Sequence, residues 1–137
     1  MGMKGADRHI RRLRRLSGAE VVRVAGAIAF EGADTIKAEA QRLITAGSVS
    51  GKNHVPSAPG EPPQNDTGNL KSKIVTQQTG KLSAEVRSEA AYAAALERGT
   101  STMAARPYMR PARDTKAKGI RKRFVEQMDK LVKRSGN

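Results

Sequence analysis

Residues 17–47 read SGAEVVRVAGAIAFEGADTIKAEAQRLITAG, and this stretch sets the architecture of the chain. Its apolar residues recur at steps of three and four, which places them along one side of an α-helix. They are Val21, Ala25, Ile28, Ala29, Ala33, Ile36, Ala40, Leu43 and Ile44. Ser17 and Glu20 have the spacing of a capping box, and Gly47 suits the position just after a helix. The pattern therefore predicts a helix of about seven turns over residues 18–46.

The predicted helix carries small residues on the side that it would bury. That side is rich in Ala, and Gly26 and Gly32 lie close to it. Small side chains let another backbone approach closely. We therefore expect this helix to pack tightly on a sheet or on a neighbouring subunit.

The stretch that follows, residues 47–68, is rich in residues that break regular structure. Proline removes amide donors and glycine raises the entropic cost of order, so no regular element is expected here. The four prolines within it are Pro56, Pro59, Pro62 and Pro63. A loop of this length in a compact domain is usually functional or disordered, which makes it a candidate docking segment. A short helical turn over Leu70 and Ile74 is predicted after it.

Two short segments then flank a turn that contains glycine. They are residues 73–78 and 82–87, on either side of residues 79–81. In the second segment apolar residues alternate with polar ones, the apolar ones being Leu82, Ala84 and Val86. Alternation around such a turn predicts a β-hairpin with one solvent-facing side.

The last third of the chain predicts a short helix, an extended segment and a longer helix. Residues 90–98 have high helix propensity and end at Gly99. Residues 100–112 contain two Arg-Pro pairs, and a residue before proline avoids the α region, so this segment should be extended or turning. A final helix is predicted over residues 111–134, with Pro111 in its first turn. Its apolar residues keep the helical spacing; they are Ile120, Phe124, Met128, Leu131 and Val132.

Together these elements predict an α+β fold. It would have a long N-terminal helix, a small antiparallel β-sheet made of the hairpin plus the extended segment, a short helix and a C-terminal helix. We expect a single domain over residues 17–134. A basic N-terminal arm or short basic helix would precede it at residues 1–16, and a tail would follow at residues 135–137.

The composition argues against a large self-sufficient core. Leu, Ile, Val and Phe make up only 24 of the 137 residues, and the net charge is +13. Few large apolar residues with a high net charge leave a lone chain short of buried surface. We therefore expect the chain to complete its burial against partners. The charge is concentrated at the ends, with +4 in residues 1–20 and +6 in residues 111–137.

The residues that support catalysis or metal binding are scarce. The chain has no cysteine, which excludes disulfides and thiolate metal sites. Its two histidines, His9 and His54, fall in segments that we expect to be poorly held, and a general base must be held within hydrogen-bond reach of its target. Glu85, Glu89 and Glu97 are interpreted as surface carboxylates. The sequence thus predicts a protein that is not an enzyme and has no metal and no cofactor.

Nucleic-acid binding is the alternative function. An isoelectric point near 10.8 fits that class. Readers of single strands usually present clustered aromatic residues, and the four aromatic residues here, Phe30, Tyr92, Tyr108 and Phe124, are scattered along the chain. The alternative is therefore a basic protein that binds nucleic acid through phosphates, without sequence preference.

Three stretches, read together, resemble a known family. Residues 57–74 lead through a Pro-rich run into DTGNLKSKI, residues 92–100 read YAAALERGT, and residues 103–112 read MAARPYMRPA. In order and spacing they are similar to the tail-completion or neck proteins of tailed bacteriophages, the gene-ten-like tail-component family. The residues that carry the resemblance, and that we expect at interfaces, are Thr67, Gly68, Leu70, Ile74, Tyr92, Glu97, Gly99, Thr100, Arg106, Pro107, Tyr108, Arg110 and Pro111.

The resemblance implies a structural virion protein of the head–tail junction. It would be assembled in the host cytoplasm as a homo-oligomeric ring of six subunits that joins the tail tube protein to the head connector or adaptor proteins. DNA in the channel is a further possible contact, and no membrane is implied. Tyr92 and Tyr108 would anchor contacts, and Arg106 and Arg110 would bind carboxylates of a neighbour. Within one chain, Tyr92 would instead fill the core, which we favour, and Arg106 would cap a carbonyl.

Overall fold

A computed structural model describes residues 4–16, 18–46, 56–63 and 68–135, and it has the expected α+β architecture. The elements, in chain order, are α1 (Lys4–Leu16), α2 (Ala19–Thr45), α3 (Asn69–Ser72), β1 (Ile74–Gly80), β2 (Ser83–Ser88), α4 (Ala93–Arg98) and α5 (Met109–Ser135). Among the described residues, no helix is both long enough and apolar enough to span a bilayer.

Helix α2 has the length that the apolar repeat predicts. Gly18 is its N-cap residue and Ala46 its C-cap residue. The expected capping residues, Ser17 and Gly47, lie outside the described residues. The buried positions of α2 combine members of the apolar repeat with two glycines; they are Gly26, Ile28, Gly32, Ala33, Glu39, Ala40 and Ile44.

Helix α2 lies between the hairpin and α5, and its glycines set both contacts. An ideal Cβ placed on Gly32 would lie 2.8 Å from Cγ2 of Ile120 in α5. An ideal Cβ on Gly26 would collide with the carbonyl oxygen of Lys81 in the hairpin turn. The expected close packing of this helix on a sheet is thus confirmed.

Helices α2 and α5 run antiparallel. Nζ of Lys116 lies 4.0 Å from Oε2 of Glu39, and further along α5 Nε of Arg123 lies 2.8 Å from Oε1 of Glu31. The later residue of α5 thus pairs with the earlier residue of α2. The C-terminal half of α5 therefore lies beside the N-terminal half of α2. Helix α1 contacts both of these helices.

The predicted hairpin is confirmed, but the sheet is smaller than expected. Strands β1 and β2 pair antiparallel, with Thr76 opposite Val86. Among the described residues the sheet has these two strands alone, so the extended segment at residues 100–112 does not join it. The segment has other partners for its backbone. The N–H of Arg106 donates to the carbonyl oxygen of Leu96 at 2.6 Å, and Pro107 has no N–H to donate.

Leu82 differs from the predicted alternation. It lies in the hairpin turn, after an irregularity between Gln78 and Gly80, and its side chain is 59% exposed. Ala84 and Val86 are half-buried, as the alternation predicts. The bulge shifts Leu82 out of the strand, which is why it does not share their side.

The core is small and lies at one end of the molecule. It joins the C-terminal half of α2 to α3, β1 and the start of α5. Its members are Ala40, Ile44, Leu70, Ile74, Tyr108 and Ala112. Large apolar side chains with at least 40% exposure elsewhere in the described chain are Ile10, Leu13, Phe30, Leu82, Tyr92, Phe124 and Val125.

Candidate functional site

The motif residues at 92–112 meet where α4 turns into α5, a region that we call the α4–α5 corner. Glu97 is its central group, because its Oε1 accepts hydrogen bonds from the backbone N–H groups of Tyr108 (3.2 Å) and Met109 (2.7 Å). These amides belong to the start of α5, where no carbonyl of the helix is available to them. Glu97 therefore caps α5, and its negative charge also favours the helix N-terminus. It is a half-buried structural group, which corrects its interpretation as a surface carboxylate.

Gly99 closes α4 and reverses the chain into the corner. Its φ is 76° and its ψ is 176°, a conformation that L-residues other than glycine rarely adopt. An ideal Cβ on this residue would lie 2.8 Å from the backbone nitrogen of Ala105 and 2.9 Å from the carbonyl oxygen of Met103. Just beyond it, the N–H of Thr100 donates to that same Met103 oxygen at 2.8 Å. The Gly-Thr pair of the motif thus forms a tight backbone turn.

Tyr108 ties the start of α5 to the hairpin. Its side chain is completely buried, and its hydroxyl donates to Oγ of Ser88 at 2.8 Å. Burial raises the pKa of the Tyr108 phenol above its ordinary value, because the ring is removed from water. In the folded chain Tyr108 is therefore a core residue. Ser88, its partner, carried no sequence signal beyond its place at the end of the hairpin.

Tyr92 lies at the surface of the corner. Its side chain is 44% exposed, which corrects our preference for a core position. Its hydroxyl accepts a hydrogen bond from Nδ2 of Asn69 at 3.3 Å, which links the second motif to the first. Leu70 and Ile74 of the first motif are buried, and Thr67 lies outside the described residues.

The arginines and prolines of the third motif have different environments. The side chain of Arg106 is half-buried, and among the described residues its Nε has no hydrogen-bond partner, nor has the buried Oε2 of Glu97. Arg110 is exposed in the first turn of α5, where Pro111 also lies, as predicted. Next to these residues, the N–H of Gly60 donates to the carbonyl oxygen of Ala105 at 2.9 Å. The end of the Pro-rich segment is therefore bound to the corner.

Residues 7–99 match the family model described as Bacteriophage HK97-gp10, putative tail-component. The chain belongs to the HK97-gp10-like family. The match spans most of the chain, from α1 to the end of α4. It includes the first motif and all of the second except Thr100, and the third motif lies beyond it. Searches of the curated proteins and of the solved structures found no match.

This membership makes the HK97-gp10-like chain a structural tail component of a bacteriophage, and hence part of the virion. A structural family of this kind supports a function other than catalysis. His9 is exposed on α1, and His54 lies outside the described residues. Across the described ranges, no group of His, Cys, Asp and Glu side chains has the arrangement of a metal site.

Glu39, Arg42 and Lys116 form an ionic cluster where α2 and α5 cross, in which Glu39 is buried, Arg42 is exposed and Lys116 is half-buried. The Glu39 carboxylate is 7% exposed and accepts two hydrogen bonds from Arg42, at 2.9 Å and 2.7 Å. The hydrogen bonds from Arg42 hold the pKa of Glu39 below its ordinary value, although burial acts the other way. The sequence reasoning missed this cluster; the Glu-x-x-Arg spacing in α2 was its only signal.

An open groove lies beside this crossing of α2 and α5. Its volume is about 370 Å³. An ideal Cβ on Gly119, in its wall, would have no heavy atom of the described chain within 4 Å. The groove is lined by Ile28, Glu31, Gly32, Thr35, Thr115, Lys116, Gly119, Ile120 and Arg123. Because its lining combines apolar residues with charged ones, the groove can accept a side chain of another protein.

Proposed function

We propose that this HK97-gp10-like protein is a structural subunit of the head–tail junction. It assembles with copies of itself into a ring that joins the tail tube to the head connector, and it acts by assembly. Membership of the tail-component family over residues 7–99 is the observation that carries this proposal. The resemblance of the motifs to tail-completion proteins favours six subunits and a position at the end of the tail.

The distribution of apolar surface supports assembly. Phe124 and Val125 are adjacent on α5, a strongly polar helix, and are 42% and 55% exposed. Phe30 on α2 is 40% exposed. Contact with another copy would remove these side chains from water, at about 25 cal/mol for each Å² of apolar surface covered. The part of α5 around Phe124 and Val125 is therefore the surface that we assign to subunit contacts.

The α4–α5 corner would present the motif residues to other virion proteins. Tyr92 and Arg110 are exposed there, as is Thr100. Tyrosine and arginine are favoured at interfaces because one offers apolar area with a polar tip and the other binds carboxylates with two donors. Glu97, Gly99 and Tyr108 would hold these side chains in place from beneath.

The test compares Val125→Asp with Gln77→Asp. Both substitutions add one negative charge at an exposed position, but Gln77 lies on β1, and α2 separates the hairpin from α5. Sedimentation velocity and electron microscopy should show rings of the wild-type chain, alone or with purified connector and tube proteins. We expect Val125→Asp to abolish them and Gln77→Asp to retain them.

A wild-type chain that stays monomeric with both partners present would contradict the ring. Rings that persist in Val125→Asp would contradict the assignment of α5 to subunit contacts. Circular dichroism of each variant verifies that the fold is unchanged.

A further inference from the structure

The folded chain brings its two basic ends together. Helix α1 has six basic residues and one acidic residue, and α5 has ten basic and three acidic residues. These two helices carry net charges of +5 and +7, and so hold nearly all of the +13 of the chain. They lie at opposite ends of the sequence, yet they contact each other in the structure. The result is one cationic surface, which we call the α1–α5 surface.

The position of α1 shows which half of α5 lies near it. The joint between α1 and α2 lies at the N-terminal end of α2, and the C-terminal half of α5 lies beside that end. Exposed cations in these two segments include Arg8, Arg11 and Arg15, which share one side of α1, and Lys130, Lys133 and Arg134 in the last two turns of α5. Within the described part of the chain, no ion pair neutralises any of these six side chains. Like charges placed side by side repel, so an external polyanion would stabilise this arrangement.

We propose that the α1–α5 surface binds the phosphate backbone of duplex DNA, without reading its sequence. Helix α5 alone is about 40 Å long, which is the length of about twelve base pairs. Cations on successive turns of one helix side are about 5–6 Å apart, whereas duplex DNA has one phosphate per ~1.7 Å of its axis, so every cation has a phosphate within reach. The proposal goes beyond ring assembly and does not depend on it.

The chemistry of the surface favours DNA over other polyanions. Binding to an anionic bilayer requires a wide apolar face, and the large apolar side chains described on α1, Ile10 and Leu13, are already about half covered. Single-stranded nucleic acid requires aromatic stacking, and the one aromatic residue in these two described helices is Phe124. An acidic protein would bind through a limited patch, whereas the cations here extend along two helices.

The experiment compares two triple variants of equal net charge. Arg8→Gln/Arg11→Gln/Arg15→Gln removes three cations from the α1–α5 surface. Lys71→Gln/Lys73→Gln/Arg98→Gln removes three exposed cations from α3, the start of the hairpin and α4. Fluorescence anisotropy with a labelled duplex of roughly 20 base pairs measures the Kd between 0.05 and 0.2 M NaCl, a range over which phosphate contacts weaken steeply. Thermal melts establish that both variants are folded.

We expect the wild type to bind the duplex with a steep salt dependence. The α1 variant should bind about tenfold more weakly at ~0.1 M salt, and its slope of log K against log salt should fall by about 3, because each lost phosphate contact removes about one unit. The control variant should raise the Kd less than about threefold, because the three cations that it loses lie outside the α1–α5 surface and act on DNA only through screened long-range attraction.

Three results would overturn the proposal. They are equal weakening in both variants, no binding of duplex DNA at 0.05 M NaCl, and tighter binding of poly-glutamate or of phosphatidylglycerol vesicles than of DNA at equal salt. The assay uses the chain without connector or tube, so its outcome is separate from that of the ring experiment.

Discussion

At the scale of single residues, a few side chains position the α4–α5 corner. The Glu97 carboxylate supplies the acceptor that the first amides of α5 lack, Gly99 provides a backbone conformation closed to most residues, and Tyr108 fills the core. Glu97 and Gly99 act on the backbone, whereas Tyr108 acts through packing.

We predict that Glu97→Ala lowers the free energy of unfolding by about 1–2 kcal/mol, because it removes a helix cap and leaves two amides without an acceptor. Glu97→Gln should cost less, since its amide oxygen can still accept. Urea unfolding measures both, with the exposed Glu85→Gln as the control. A loss in the control as large as that in Glu97→Ala would argue against capping.

Gly99 and Gly119 give opposite predictions for the same substitution. Gly99→Ala should destabilise the fold by at least about 2 kcal/mol, because the positive φ is strained and the new Cβ meets backbone atoms. Gly119→Ala should stabilise it by about 0.5–1 kcal/mol, because the residue is in the interior of α5 with open space around it. The two melting temperatures, measured against wild type, should move in opposite directions. A shift of Gly99→Ala towards higher temperature would contradict the account of the corner.

At the scale of elements, α2 organises the molecule. Its glycines admit the hairpin on one side and α5 on the other, and Glu39 holds Arg42 and faces Lys116 where α2 crosses α5. Because Arg42 of the same helix is the main cause of the lowered pKa of Glu39, this carboxylate couples the stability of the fold to pH.

We predict that the fold loses stability in acid as Glu39 is protonated. The pKa of Glu39 is lowered in the folded chain, so its contribution to stability is present above the ordinary glutamate pKa of about 4.3 and is lost as the pH falls through the folded pKa. Wild type should therefore lose more stability than Glu39→Gln between about pH 5 and pH 3. Chemical unfolding across this pH range measures the free energy of unfolding of both proteins. Glu20→Gln, at an exposed position of α2, is the control. Parallel curves for wild type and Glu39→Gln would refute the coupling.

At the scale of the whole molecule, the distribution of charge and the extent of burial both leave a lone chain poorly stabilised. Among the side chains that the structure describes, six large hydrophobic ones are buried, whereas seven are exposed. The two most basic helices are in contact. A lone chain therefore combines a small core with self-repulsion, and both features favour a protein that acts within an assembly.

We predict that salt stabilises the isolated chain. Raising NaCl from about 0.05 to 0.5 M screens the repulsion between α1 and α5, and the melting temperature should rise by roughly 3–5 °C, which corresponds to about 1 kcal/mol for a chain of this size. The variant Arg8→Gln/Arg11→Gln/Arg15→Gln should melt at nearly the same temperature at both salt concentrations. Differential scanning calorimetry provides the measurement, and a wild-type melting temperature that falls with salt would disprove the repulsion.

The sequence by itself determined α2, the hairpin and α5, because each is set by local periodicity and by turn residues that act within a few positions. It also determined the family motifs and the excess of positive charge. Only the tertiary structure decided that Tyr92 is exposed while Tyr108 is buried, that the segment before α5 bonds to α4 and not to the sheet, and that the basic ends meet. These facts depend on contacts between residues far apart in the chain, and local pattern carries no information about which distant surfaces will exclude water together.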